Sequence, residues 1–180
     1  GECNRLFSFA EWFIHTSVTY VFTCTALLIV PFVEVYTKGI NDAAYAQPLF
    51  AVLIVLAHTM HCYRLPYHIM VKAVGRYKET QKCYYVAAIL NLAVSILAVK
   101  RWGLIGVAIG TLAAMIYQTI WMVIYNSKHL INGTGKRFVK QMLINLLLFF
   151  GAYTVLPLFV SLKSVSISSW IMMAIEVAVL

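Results

Sequence analysis

The sequence is poor in charged residues and poorest in acids. Only six of its 180 residues are Asp or Glu, and 11% are charged in all, whereas a soluble domain has about 25%. Hydrophobic residues make up 62% of the chain, and its mean hydropathy is +0.84. Because a small globular core cannot hide so much apolar surface from water, the composition excludes a soluble domain and is typical of a membrane protein.

Motifs for catalysis or cofactor binding are missing as well. The chain has no Gly-rich phosphate loop and no combination of residues that predicts a nucleophile with its base. Its four cysteines share no short loop, so neither a disulfide framework nor a metal site is expected. The pair His58 and His61 has no acidic or cysteine partner nearby on its helix. We therefore predict no enzyme, no metal and no cofactor.

Six long apolar runs are what the chain does contain. A helix needs about 20 apolar residues to cross the hydrocarbon core of a bilayer, and continuous runs do not fit the alternating strands of a barrel. The sequence thus predicts an all-α membrane protein, a polytopic bundle of about six transmembrane helices in one domain, 1–180. The predicted helices, A to F, cover residues 12–33, 44–74, 83–99, 102–127, 141–162 and 165–180.

The net charge of +8 lies mainly between these runs, where juxtamembrane bases explain it better than nucleic-acid binding. Nine bases fall on one side of the predicted membrane and four on the other, so the first side is expected to be cytoplasmic. The nine are Arg5, Lys72, Arg76, Lys78, Lys82, Lys128, Lys136, Arg137 and Lys140; the four are Lys38, Lys100, Arg101 and Lys163. Helix A then runs outward.

Basic and imidazole groups form a stripe on helix B. At about 100° per residue, His58, His61, Arg64, His68 and Lys72 share an arc of about 120°. Ionisable residues within a span usually face the bundle interior or a water-filled cavity. The stripe therefore predicts a cationic cavity wall suited to an anion such as phosphate. Two alternatives stay open: cations that reach lipid headgroups, and neutral histidines bonded to neighbouring helices.

A proline and three glycines indicate helix geometry. Pro66 interrupts the hydrogen bonds of helix B and predicts either a hinge or a static kink. Gly103, Gly106 and Gly110 lie on one face of helix D, and we expect them to pack closely against another helix.

Polar residues elsewhere in the spans are few. His15, near the start of helix A, is expected at the membrane interface. Glu34 and Glu176 are the only acids predicted to touch the spans, and Asn145 is expected to form an interhelical hydrogen bond.

Four stretches resemble one known family. They are PFVEVYT at 31–37, LPYHIMVKAVGRYKET at 65–80, AILNLAVS at 88–95 and GLIGVAIGT at 103–111. Their order and spacing resemble helices nine to twelve of the multidrug/oligosaccharidyl-lipid/polysaccharide exporter superfamily, specifically its oligosaccharide flippase branch. The resemblance implies that the chain is the C-terminal bundle of a larger transporter with about fourteen spans. The start at Gly1 and the end within an apolar run at Leu180 agree with a fragment.

The resemblance also implies a function, a partner and a location. The family moves lipid-linked oligosaccharides across the bacterial inner membrane by alternating access, for polysaccharide biosynthesis. The expected partners are the lipid bilayer, a lipid-linked anionic oligosaccharide and a missing N-terminal bundle, with no nucleic acid. A multidrug or cation antiporter of the same superfamily is an alternative, disfavoured because such a site needs buried acids. A membrane-embedded glycan transferase or polymerase is another, disfavoured because the loops are short.

Overall fold

The computed structural model of the chain describes residues 2–40, 43–131, 133–158 and 165–179, and these form an all-helical bundle. Seven α-helices and one short 3₁₀ turn, Leu156–Leu158, account for it. The α-helices are α1 Glu2–Tyr36, α2 Pro48–Tyr63, α3 Leu65–Ala73, α4 Tyr77–Trp102, α5 Leu104–His129, α6 Thr134–Val155 and α7 Ile167–Val179.

Five of the helical segments are long and apolar enough to cross a membrane. In this count α2 and α3 form one segment, and α6 forms another together with the 3₁₀ turn that follows it. The remaining helix, α7, has 13 residues and is shorter. Large apolar side chains cover the outside of the bundle. Leu97 and Leu147, for example, are 72% and 76% exposed, as expected of a surface that faces lipid rather than water.

Three predicted helices begin too late in the sequence. Helix A was predicted from Trp12, but α1 begins at Glu2, and helix E from Gln141, but α6 begins at Thr134. Helix C was predicted from Cys83, but α4 begins at Tyr77, so only Val74, Gly75 and Arg76 separate it from α3. The polar residues in these first turns do not interrupt the backbone hydrogen bonds, so apolar run length alone underestimates each helix.

The remaining boundaries differ in smaller ways. Trp102 ends α4 rather than opening helix D, and Gly103 makes the turn with φ of +55°. Gln47 precedes α2, which begins at Pro48 rather than Ala44. The predicted end of helix E at 159–162 and the last residue of helix F lie outside the described residues.

Predicted helix B is two helices. It breaks at Arg64, which lies between α2 and α3, and Pro66 is the second residue of α3, where a missing N–H is tolerated. The break is limited to one residue, because Arg64 keeps helical backbone angles (φ −73°, ψ −21°), and whether it acts as a hinge stays a prediction.

α5 is the centre of the bundle and packs on α4, α2, α3 and α6, while α1 packs on α2, α3, α6 and α7. Gly106 and Gly110 of α5 touch the backbone of α4: a Cβ on Gly110 would lie 2.9 Å from the Asn91 carbonyl oxygen. The prediction for Gly103 was wrong, because a Cβ there would meet no atom within 4 Å.

Candidate functional site

Arg64 lies in the break between α2 and α3 and is buried, with 6% of its surface exposed. Its guanidinium lies 5.5 Å from the centre of the Tyr84 ring on α4, a cation–π arrangement. Its Nη2 donates a hydrogen bond of 2.9 Å to Nδ1 of His61. The Nε and Nη1 groups are also buried but make no hydrogen bond within the described part of the chain. Arg64 therefore has N–H groups that could donate hydrogen bonds to an anion.

His61 and His68 lie on either side of Arg64 in this cluster. Arg is a donor only, so Nδ1 of His61 must be the acceptor, which places any single ring proton on Nε2. His68 Nδ1 and the Tyr84 hydroxyl are 2.7 Å apart and share a hydrogen bond. Arg64, His61, His68 and Tyr84 thus form one connected polar cluster, to which we refer as the Arg64 cluster.

His58 does not join the Arg64 cluster. It is exposed, and its Nδ1 bonds to the Ile54 carbonyl one turn earlier on the same helix. Lys72, at the end of α3, is exposed too. The five residues of the helix B stripe therefore do not form one wall. Only the middle ones, His61, Arg64 and His68, belong to the cluster that faces α4.

A second feature is an open groove that α1 and α6 form with α7, with a volume of about 720 Å³. We call it the α1–α6 groove. The two long helices run parallel along it, since Glu11 faces Arg137 near one end and Ala26 shares a buried cluster with Phe149 toward the other. The lining residues of α1 run from Ser8 to Cys24, a length of about 24 Å at 1.5 Å per residue.

The first end of the α1–α6 groove is charged. Glu11 is buried at 2% exposure, and its Oε2 lies 3.6 Å from Nε of Arg137. The Tyr67 hydroxyl, on α3, donates a 2.5 Å hydrogen bond to Oε1 of the same carboxylate. Arg137 donates to Asn4 at 2.9 Å, and Lys140 lines the groove one turn further along α6. One acid and two cations therefore line this end of the groove.

The other end of the groove is apolar. Its lining residues there are Leu148, Ala152, Leu156 and Val177. Tyr20 and Cys24 of α1 donate hydrogen bonds to the carbonyls of Ala178 and Val177, which hold α7 against this end. The groove is thus amphipathic along its length and matches an elongated molecule with a charged head and an apolar tail.

The polar residues of α1 face inward rather than toward the membrane interface. The expectation for His15 was wrong: it is 1% exposed, and its Nε2 donates to the Tyr63 carbonyl at 3.0 Å. Its ring also packs against Tyr63, Tyr67 and Phe138. Burial in this aromatic shell fixes His15 as part of the contact between α1 and α2–α3.

The sequence carried a signal for this face that was missed. Glu11, His15, Thr19 and Thr23 recur every four residues, and all four are buried. A spacing of four keeps residues on one helix face, so a polar stripe in an otherwise apolar helix marks the side that packs on protein. Arg137 was missed because it was counted only as a juxtamembrane base. Asn145, which also lines the groove, is buried, but its Nδ2 makes no hydrogen bond within the described residues, so the expected interhelical hydrogen bond stays a prediction.

No group of three His, Cys, Asp or Glu side chains in the described ranges could hold a metal ion. All four cysteines are free thiols.

Comparisons of the chain with protein-family models, with curated proteins and with solved structures find no match.

Proposed function

We propose that this chain is part of a multi-pass membrane transporter of the bacterial inner membrane that moves a lipid-linked, anionic oligosaccharide to the outer leaflet. The observation that carries the proposal is the α1–α6 groove, which joins two cations to an apolar channel. A lipid-linked sugar phosphate needs both, because its charged head avoids hydrocarbon and its tail avoids water.

The Arg64 cluster supports the same cargo. A buried guanidinium with two unpaired N–H groups is costly unless an acceptor satisfies it during part of the cycle. Phosphate oxygens, like those of a carboxylate, accept pairs of parallel hydrogen bonds from arginine. The resemblance of residues 31–111 to the flippase branch agrees with this chemistry, and it supplies the expectation of an N-terminal bundle that completes the cavity.

The alternative function, a cation antiporter, needs buried acids, and the described structure contains one that was not predicted from the sequence, Glu11. That acid does not offer a cation site, since Arg137 pairs with it and Tyr67 occupies one of its oxygens. The described structure adds no support for a glycan transferase or polymerase, because the described connections between helices are short. Lipid-linked anion export therefore remains the function that the geometry supports best.

The test blocks the apolar part of the groove. Leu148 lines it, whereas Leu147, the preceding residue, does not, although both side chains are mostly exposed, at 60% and 76%. The native protein that contains this chain is placed in inverted membrane vesicles, and a membrane-impermeant probe scores the leaflet that holds the lipid-linked oligosaccharide. Leu148→Trp is expected to slow translocation at least tenfold, and Leu147→Trp to leave it unchanged. Equal rates for both variants would contradict the role of the groove.

A further inference from the structure

The charged end of the α1–α6 groove holds its own counter-ion. Glu11 is the acid that pairs with Arg137, and its side chain is 3% exposed against 36% for Arg137. An anion that approaches Arg137 from the open groove therefore meets a carboxylate already in place. Like charges at such short range repel strongly where water is scarce.

We propose that Arg137 and Lys140 form a phosphate-binding site that Glu11 closes when it is ionised and opens when it takes up a proton. This inference rests on the proposed function and adds its regulation: binding of the anionic head is linked to proton uptake by one carboxyl group. Glu11 acts as a competing, built-in anion.

The two oxygens of Glu11 have different partners, and this makes the switch specific. Oε1 already accepts the Tyr67 hydroxyl, so a proton added to Glu11 goes to Oε2, which faces Nε of Arg137. An O–H would then point at an N–H, and the attraction between the two residues is lost. The proton therefore releases Arg137 from Glu11.

Arg137 stays in position after that release. Its Nη1 donates to Asn4 at 2.9 Å and its Nη2 to Thr134 at 3.5 Å, and both bonds are independent of Glu11. Its Nε is buried and makes no hydrogen bond in the described structure even with Glu11 ionised. The guanidinium, whose side chain is 36% exposed, is thus held beside the groove with its positive charge open to an anion.

The other charged and titratable groups near Glu11 define the controls. They are Tyr67 on α3, Arg137 and Lys140 on α6, and His15, one turn further along α1. The Nε2 proton of His15 is committed to the Tyr63 carbonyl. His15 is nevertheless an imidazole one turn from Glu11, and a free imidazole titrates between pH 5 and 8, so it needs its own variant.

The probe is a phosphodiester, because its charge stays constant at −1 between pH 5 and 8 and any pH dependence then belongs to the protein. Lysophosphatidylglycerol carries this group on an alkyl chain, and dimethyl phosphate carries it alone. Binding to the purified native protein in neutral detergent is measured from pH 8 to pH 5. Binding of both probes indicates that phosphate is recognised by the cations themselves, and binding of the lipid alone indicates that the apolar end is also required. Failure of both probes to bind would overturn the proposal.

We expect the lipid probe to bind about tenfold more tightly at pH 5 than at pH 8, a coupling of ordinary size. Glu11→Gln keeps an oxygen for Tyr67 but has no charge, so it is expected to bind tightly at every pH. Glu34→Gln is the matched control: Glu34 lies on the same helix, is exposed and has no ion pair among the described residues. It is expected to keep the pH dependence, as is His15→Gln.

A flat pH profile in the native protein, or a profile kept by Glu11→Gln, would overturn the proposal. If Glu11→Gln does not fold, Arg137→Gln replaces it: the proposal expects loss of probe binding at all pH values, and retained binding would contradict it. Translocation is measured separately, so that the proposed transport function and the proposed proton-linked site are tested independently. A protein that moves its cargo without a pH-dependent anion site would refute only the proton-linked site.

Discussion

The Tyr67 hydroxyl donates a 2.5 Å hydrogen bond to the Glu11 carboxylate, across 56 residues of sequence. Both side chains are almost fully buried, at 0% and 2% exposure. The bond joins α1 to α3 just beyond the break at Arg64, and through Glu11 it continues to Arg137 on α6. One short polar chain thus connects three helices at the same end of the bundle.

Removing the Tyr67 hydroxyl is expected to weaken the bundle. Tyr67→Phe leaves a buried carboxylate oxygen without its donor, which costs about 1–3 kcal/mol and more for a charged acceptor. We predict a lower melting temperature for the purified variant in detergent. Tyr85→Phe is the control, because Tyr85 is 70% exposed. Equal melting temperatures for the two variants would show that the bond contributes nothing to stability.

The approach of α5 to α4 predicts a contrast between two glycines. A Cβ on Gly110 would collide with the Ser95 side chain and the Asn91 carbonyl, whereas a Cβ on Gly151 would meet no atom within 4 Å. Gly110→Ala is therefore expected to destabilise the protein by about 1–3 kcal/mol. Gly151→Ala is expected to be neutral or to stabilise by up to about 1 kcal/mol through helix propensity.

Denaturation in detergent with a helix-sensitive signal measures both alanine variants. A Gly110→Ala protein as stable as Gly151→Ala would mean that α4 and α5 separate more easily than their contact implies.

A single hydroxyl on α5 supports the end of α2. The Thr119 hydroxyl oxygen lies 2.8 Å from the Met60 carbonyl oxygen and 2.8 Å from the Met115 carbonyl oxygen of its own helix, and its one proton is shared between them, while Thr111 bonds only within α5. Thr119→Val is therefore predicted to cost about 1 kcal/mol more than Thr111→Val. Thermal unfolding of both variants checks it, and a larger loss in Thr111→Val would contradict the assigned role.

Substitutions of Arg64 distinguish a role in cargo binding from a purely structural role. Arg64→Ala removes the unpaired N–H groups and is expected to reduce translocation at least tenfold, while Arg64→Lys keeps the charge and part of the rate. Lys72→Ala, which changes an exposed cation of α3, is expected to transport normally. The leaflet assay at matched expression measures all three, and normal transport by Arg64→Ala would remove Arg64 from the cargo path.

Hydropathy predicted the helices because each apolar run is long compared with the break that follows it. It placed the starts of α1, α4 and α6 too late, since polar first turns continue a helix without adding apolar length. The break at Arg64 was anticipated only through Pro66. The directions of α2 and α3 on either side of the break depend on their neighbours α5 and α4. No local sequence pattern specifies those contacts.

The candidate site was predicted less well than the fold. Helical geometry put His58 and Arg64 on one arc, but only contact with Tyr84 on α4 distinguishes the buried residue from the exposed one. The pair of Glu11 and Arg137 is 126 residues apart in sequence and unites only when α1 and α6 pack in parallel. Long-range pairing of this kind leaves no periodic trace, although the four-residue spacing on α1 did mark the inward face.

The most direct test of the central claim uses the purified native protein that contains this chain, reconstituted in liposomes with a lipid-linked anionic oligosaccharide in one leaflet. An impermeant probe follows the fraction that reaches the other leaflet. The account predicts movement well above that in protein-free liposomes, and slower movement in Leu148→Trp than in Leu147→Trp. Movement at the protein-free rate would contradict it.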